Sequence, residues 1–161
     1  MSRVTRHGWS AYGLAALVIL LDQISKAWVL GVLNLAERGT VPVIGPLHLT
    51  MVWNQGVSFG LLKAEHDLVR WALVAFSVGV ALLLIAWARK SERLTSAAGL
   101  GLVIGGAVGN AIDRARFGAV ADFIDVQRLG FFPWVFNVAD AAITIGVVLL
   151  LLDSMRRERP A

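Results

Sequence analysis

Residues 10–33 read SAYGLAALVILLDQISKAWVLGVL, an almost unbroken apolar run into which Asp22 and Lys26 are set. About 20 mostly apolar residues carry a helix across a bilayer, so the run predicts a transmembrane span. A charged carboxylate near the middle of such a helix costs about 2.5–3.5 kcal/mol on insertion scales. Asp22 and Lys26 are four apart, which puts them on one helical face where the acid meets the base. Two readings of the pair stand at this level. It is either an internal ion pair that neutralises both groups, with Lys26 snorkelling outward, or a pair turned toward a substrate.

The rest of the chain has the same character. Of 161 residues, 57% are hydrophobic and 16% charged, whereas soluble domains run about 45–50% apolar and about 25% charged. Three further runs, roughly 68–88, 95–112 and 137–152, are predicted to span. The expected fold class is therefore an all-α membrane protein of four transmembrane helices, with 1–161 as one domain. Without cysteine, neither a disulfide framework, a thiolate nucleophile nor a Cys-ligated metal is available. The net charge of +4 sits in ends and loops, where it bears on topology and not on nucleic acid. Arg3 and Arg6, then Arg89, Lys90 and Arg93, then Arg156, Arg157 and Arg159 mark three segments as cytoplasmic. Four spans also return both termini to that side. The first run superficially looks like a secretory signal, but it continues past Asp22 without a small-residue cleavage site and is expected to stay as a span.

Two segments should face outward. In TVPVIGPLHLTMVWNQGVSFGLL, residues 40–62, Leu47, Leu49, Met51 and Trp53 alternate with His48, Thr50, Val52 and Asn54. A period of two predicts a strand, punctuated by Gly45 and Pro46 as a turn. A small β-sheet at the outer interface follows, its apolar face expected against lipid or an apolar substrate. The second segment, 113–136, holds Asp113, Arg114, Arg116, Asp122, Asp125 and Arg128, and is expected as a charged outer loop. Gly101, Gly105 and Gly109, four apart in the third span, fit neither nucleotide-binding fingerprint. Small residues at that spacing let helices pack closely in lipid.

The remaining polar residues are candidates for a site. Asn54, Asn110 and Asn137 fall at the outer ends of their segments, where capping and loop hydrogen bonds are the ordinary role. Asn110, Asp113 and Arg114 are expected to tie the outer loop down through an Arg–carboxylate bond. Asp122 in VADFID and Asp140 in FNVAD both stand beside apolar and aromatic neighbours. Pattern alone admits two interfacial or capping carboxylates. It also admits a pair: two carboxylates held close cannot both ionise, so one keeps its proton while the other acts as a base toward water.

The blocks DQISKAW (22–28), NQGVSF (54–59), GGAVGNAIDR (105–114), VADFID (120–125) and FNVAD (136–140) resemble, in order and spacing, the motifs of bacterial lipoprotein signal peptidase, or signal peptidase II. The resemblance covers the chain from first span to last. It implies an inner-membrane aspartic endopeptidase that cuts prolipoproteins before a cysteine already bearing a diacylglyceryl group. Asp122 and Asp140 correspond to the catalytic dyad. Asp22, Lys26, Asn54, Asn110, Asp113, Arg114 and Asn137 fall on positions tied to substrate binding or site architecture. The implied partners are the lipid-modified prolipoprotein and membrane lipids, with no obligate protein partner, no metal and no cofactor, and the site would open to the periplasmic face.

Three rivals are weighed against this. GVSFG, 56–60, fits G-x-S-x-G, with Ser58 as nucleophile and His48 or His66 as base, but the motif needs a strand-to-helix elbow in an α/β scaffold. A metal site from Asp113, Asp122, Asp125 and a histidine lacks any familiar ligand spacing. A non-enzymatic transporter or assembly subunit would use the acids as an ion relay, yet the sequence shows no internal repeat of the kind inverted-repeat transporters carry.

Overall fold

The computed structural model of the protein describes residues 3–56 and 66–157. Four helices are long and apolar enough to cross a membrane, over Arg6–Val32, Asp67–Ala88, Leu94–Phe117 and Val138–Met155. Helix α1, Arg6–Ala27, begins ahead of the expected residue 10 because Thr5 caps it. The Thr5 Oγ1 accepts from Gly8 N at 3.0 Å and donates to Ser91 O at 2.6 Å. It runs on as a π-turn, Trp28–Val32, into the short α2, Leu35–Arg38. Helices α3, His66–Ala88, α4, Leu94–Phe117, and α5, Val138–Arg157, complete the bundle.

Helix α4 is the hub, packed by α1, α3 and α5 and buried along most of its length. Its glycines explain how it fits there. A Cβ on Gly105 would stand 2.6 Å from Val18 Cβ on α1, and one on Gly101 2.6 Å from Ala11 O. Gly106 turns the other way and would collide with the Ala139 carbonyl of α5. Backbones this close gain dispersion contact over their whole crossing, which is what joins helices where no hydrophobic drive exists.

The third span ends five residues later than 112, and Asp113, Arg114 and Arg116 belong to the helix and not to an outer loop. Asp113 can stay helical because its charge is met inside the bundle (below). Arg70 of α3 closes the end, donating from Nε to Arg114 O and from Nη2 to Ala115 O, each at 2.7 Å. Gly118, at φ +80°, then reverses the chain. At the opposite end of the bundle, Thr5 N bonds Arg89 O at 3.1 Å, and Arg93 meets Asp153 at 3.2 Å. The basic α3–α4 turn is thereby brought beside the start of α1 and the end of α5.

Strands β1, Thr40–Ile44, β2, Leu47–Asn54, β3, Val120–Asp125, and β4, Val135–Phe136, form one antiparallel sheet in that order. The alternation read over 47–54 is β2 itself. Part of its apolar face is covered by the protein itself: Leu49 and Met51 pack with Val29, Leu35 and Phe123. The π-turn swings Val29 and Leu35 under the sheet, so the protein supplies that cover. A shift in register between Leu49 and Val52 leaves Val52 and Trp53 exposed near the mouth of the site.

Candidate active site

Side chains alternate across a strand. In β3, buried Phe123 faces the cluster under the sheet, which turns its neighbour Asp122 toward the ends of α4 and α5. Asp140 arrives from a helix start. Asn137 precedes α5 as its cap: Asn137 Oδ1 accepts from Asp140 N at 2.9 Å, while Asp140 Oδ2 accepts from Asn137 N at 3.3 Å. This reciprocal pair is a capping box with amide and carboxylate in the usual places. The capping reading of Asp140 therefore holds, and the same carboxyl also lines a cleft together with Asp122.

Three asparagines hold the two aspartates, and Asn137 bonds both. Asn137 Nδ2 donates to Asp122 Oδ1 at 2.7 Å and Asn54 Nδ2 to Asp122 Oδ2 at 3.0 Å. Asn110 Nδ2 donates to Asp140 Oδ1 at 2.8 Å, and its own Oδ1 accepts from Asn137 Nδ2 at 3.2 Å. Asp122 and Asp140 line one cleft of ≈ 490 Å³ with Phe132, Phe136, Ala141 and Ile145. A second cleft, of ≈ 630 Å³, adjoins it across Asn54, Asp122 and Trp134, and is walled by Trp53, Gln127 and Arg114. Arg114 Nε is buried there without an acceptor among the described residues.

Electrostatics separate the carboxyls. Burial raises the Asp122 pKa to about 6, with Asp140's charge adding to the rise and the bonds from Asn54 and Asn137 opposing it. Asp125, further along β3, shows the reverse. Burial works upward there too, but bonds from Gln127 N and the Thr50 hydroxyl outweigh it and hold that carboxyl below its ordinary value. A proton-holding carboxyl beside a second one on a shared cleft is the chemistry of water activation and carbonyl protonation.

Behind the pair lies a buried ionic cluster. Lys26 Nζ sits 2.8 Å from Asp22 and 2.7 Å from Asp113, and donates to Asn110 Oδ1 at 3.3 Å. The internal ion-pair reading of Asp22 and Lys26 holds, without snorkelling, since Lys26 is only 2% exposed. The proposed Asp113–Arg114 bond does not form. Consecutive helical residues point apart, and Asp113 faces Lys26 while Arg114 faces the cleft. The outer segment is still tied to Asp113, by Ala121 N at 3.1 Å.

All nine expected site residues therefore converge, eight in one hydrogen-bonded network and Arg114 on the wall. Sequence reading passed over Gln23 and Arg70. Gln23 stands next to Asp22 in an apolar run, which was a signal; Arg70 acts on backbone carbonyls, which leaves none. Of the serine rival, Ser58 lies outside the described residues, and His48 Nδ1 is engaged with Pro46 O at 3.1 Å. The carboxylates weighed as metal ligands are apart in their bonding: Asp113 serves Lys26, Asp125 serves Thr50.

Comparison with known proteins bears on the family and the fold. The chain matches the family described as Signal peptidase (SPase) II over residues 14–156. It is 54% identical to the lipoprotein signal peptidase of Caulobacter vibrioides across 96% of this chain and 92% of that one. The lipoprotein signal peptidase of Rhizorhabdus wittichii is 47% identical across 92% of this chain and 87% of its own. A solved bacterial membrane enzyme superposes with a TM-score of 0.78 at 27% identity, covering 96% of this chain and 97% of that one. On the match of sequence, spans and fold along nearly its whole length, the chain belongs to the signal peptidase II family of multi-pass membrane peptidases.

Proposed function

We propose that the protein acts as one peptidase unit whose catalytic pair is Asp122 and Asp140, cutting prolipoproteins at the bond before a diacylglyceryl-modified cysteine. The observation that supports it most is the pair itself: two carboxyls on one cleft, oriented by Asn54, Asn110 and Asn137. The ionised member takes a proton from a water that attacks the scissile carbonyl. The protonated member donates to the carbonyl oxygen, and the pair then protonates the leaving amine. The raised pKa of Asp122 favours it as the proton carrier in the free enzyme.

The two clefts differ in character, and their meeting at Asp122 suggests how a substrate lies. The cleft with Phe132, Phe136 and Ile145 opens along α5, suited to apolar substrate parts. Asn54 and Arg114 on the other wall offer donors to peptide carbonyls. The basic residues of the α3–α4 turn and both termini support a cytoplasmic location of that end and, with it, a periplasmic location of the pair. The protein is expected to work without a protein partner. Purified enzyme should cleave a diacylglyceryl-modified prolipoprotein and leave the unmodified precursor intact; equal cleavage of both would refute the lipid requirement.

A further inference from the structure

Each catalytic aspartate is preceded by an alanine whose N–H is held by a buried carboxylate. Ala121 N donates to Asp113 Oδ2 at 3.1 Å, and Ala139 N donates to Asp22 Oδ1 at 3.0 Å. The two carboxylates come from different helices and share one cation, Lys26. Gln23 bridges them a second time, on the other Asp113 oxygen. Its Nε2 donates to Asp113 Oδ1 at 2.9 Å and to Asp22 Oδ2 at 3.1 Å, and its Oε1 accepts from Arg116 Nη1 at 3.3 Å. With carboxylates on one side and a guanidinium on the other, only one orientation of the amide satisfies all three.

Resting on the dyad reading, we infer that Gln23 is a positioning residue for catalysis: it locks the carboxylates that hold the backbone directly before Asp122 and Asp140. Among the described residues Gln23 gives Asp113 Oδ1 its only hydrogen bond, while Oδ2 carries Lys26 and Ala121. Without that bond only Oδ2 is held, so the carboxylate gains freedom about its Cβ–Cγ axis and Ala121 and Asp122 are positioned less sharply. A displacement of about 1 Å in a reacting group costs up to about 10²-fold in rate. Without Gln23, Asp22 keeps a partner on each oxygen, Lys26 on Oδ2 and Ala139 on Oδ1, whereas Asp113 keeps partners on Oδ2 alone, so the strand side of the dyad is the more dependent on Gln23.

The test compares Gln23→Leu and Gln23→Glu with the parent and Asp122→Asn, on a diacylglyceryl-modified prolipopeptide, with kcat and KM followed across pH. Gln23→Leu should lower kcat about tenfold with KM changed less than about twofold, the split expected when only transition-state geometry is lost. Gln23→Glu should be slower still at neutral pH. Its new carboxyl would face Asp22 and Asp113, with Lys26 of α1 and Arg116 of α4 as the cations in reach. As pH falls the introduced carboxyl gains an O–H donor, and its kcat should recover toward or past that of Gln23→Leu. Both variants within about twofold of the parent at every pH would overturn the proposal. So would equal losses with one pH profile, which mean packing alone, and so would failure of both to accumulate folded, which makes Gln23 a folding residue. Near-normal turnover by Asp122→Asn would instead bring down the dyad reading, and this proposal with it.

Discussion

Lys26, Asp22 and Asp113 show what a charge inside a bundle does when each partner is buried. Removing one member of such a group strands the others, at about 3–5 kcal/mol. Lys26→Met leaves two carboxylates facing each other and should lower the unfolding temperature in detergent sharply. Asp113→Asn should be milder, since its amide oxygen still accepts from Ala121 N and Lys26 keeps Asp22. An equal loss in both would mean that the cluster does not share its charge as described. The proposed dyad makes a pH prediction. Asp122 holds its proton up to about 6, so the protonated form persists below that value and is lost above it. The alkaline limb of kcat/KM should fall near there, and that of kcat at higher pH once substrate excludes water, both values belonging to the pair. A kcat/KM flat through that range would contradict the assignment of the proton.

Helix α4 is the element on which the rest depends, because the backbones of α1 and α5 approach it closely where glycine replaces a side chain. The spacing of Gly101, Gly105 and Gly109 was readable in the sequence; that Gly106 opens a second face toward α5 was not, since one residue's offset carries no pattern until the partner is known. Gly106→Val should do more harm than Gly13→Val, whose Cβ meets nothing within 4 Å. Overpacking costs about 1–3 kcal/mol and more against backbone, so Gly106→Val should reduce folded yield in detergent while Gly13→Val leaves it unchanged. The same helix shows why hydropathy placed its end too early. Asp113 and Arg116 lower the score of the window, yet Lys26 and Gln23 receive them at short range. Non-local partners are invisible to a local window.

For the whole molecule, the length of the apolar runs was enough to give four spans, and a period of two gave β2 and its turn, because burial in lipid imposes a length and a strand imposes a period; β3 and β4, inside the segment read as a loop, carry no such signal. The site residues were legible as types in motif blocks. Their wiring was not: a local reading joins Asp113 to its sequence neighbour Arg114, whereas its partner is Lys26, 87 positions away along the chain. Topology is a property of this scale. Reporter fusions at about residue 38 and about residue 128 should report the outer side, and those at about 91 and at the C-terminus the cytoplasm. An outward C-terminus would contradict the orientation. The central claim, that one pair of carboxyls does the chemistry, is tested most directly by the turnover of folded, purified Asp122→Asn, Asp140→Asn and the double variant on a diacylglyceryl-modified prolipoprotein, with Asp125→Asn as the control. Each single variant should lose about 10³-fold or more in kcat and the double variant little beyond that, as groups acting as a unit do, while Asp125→Asn keeps most of its activity. Near-normal cleavage by either folded single variant would contradict the account.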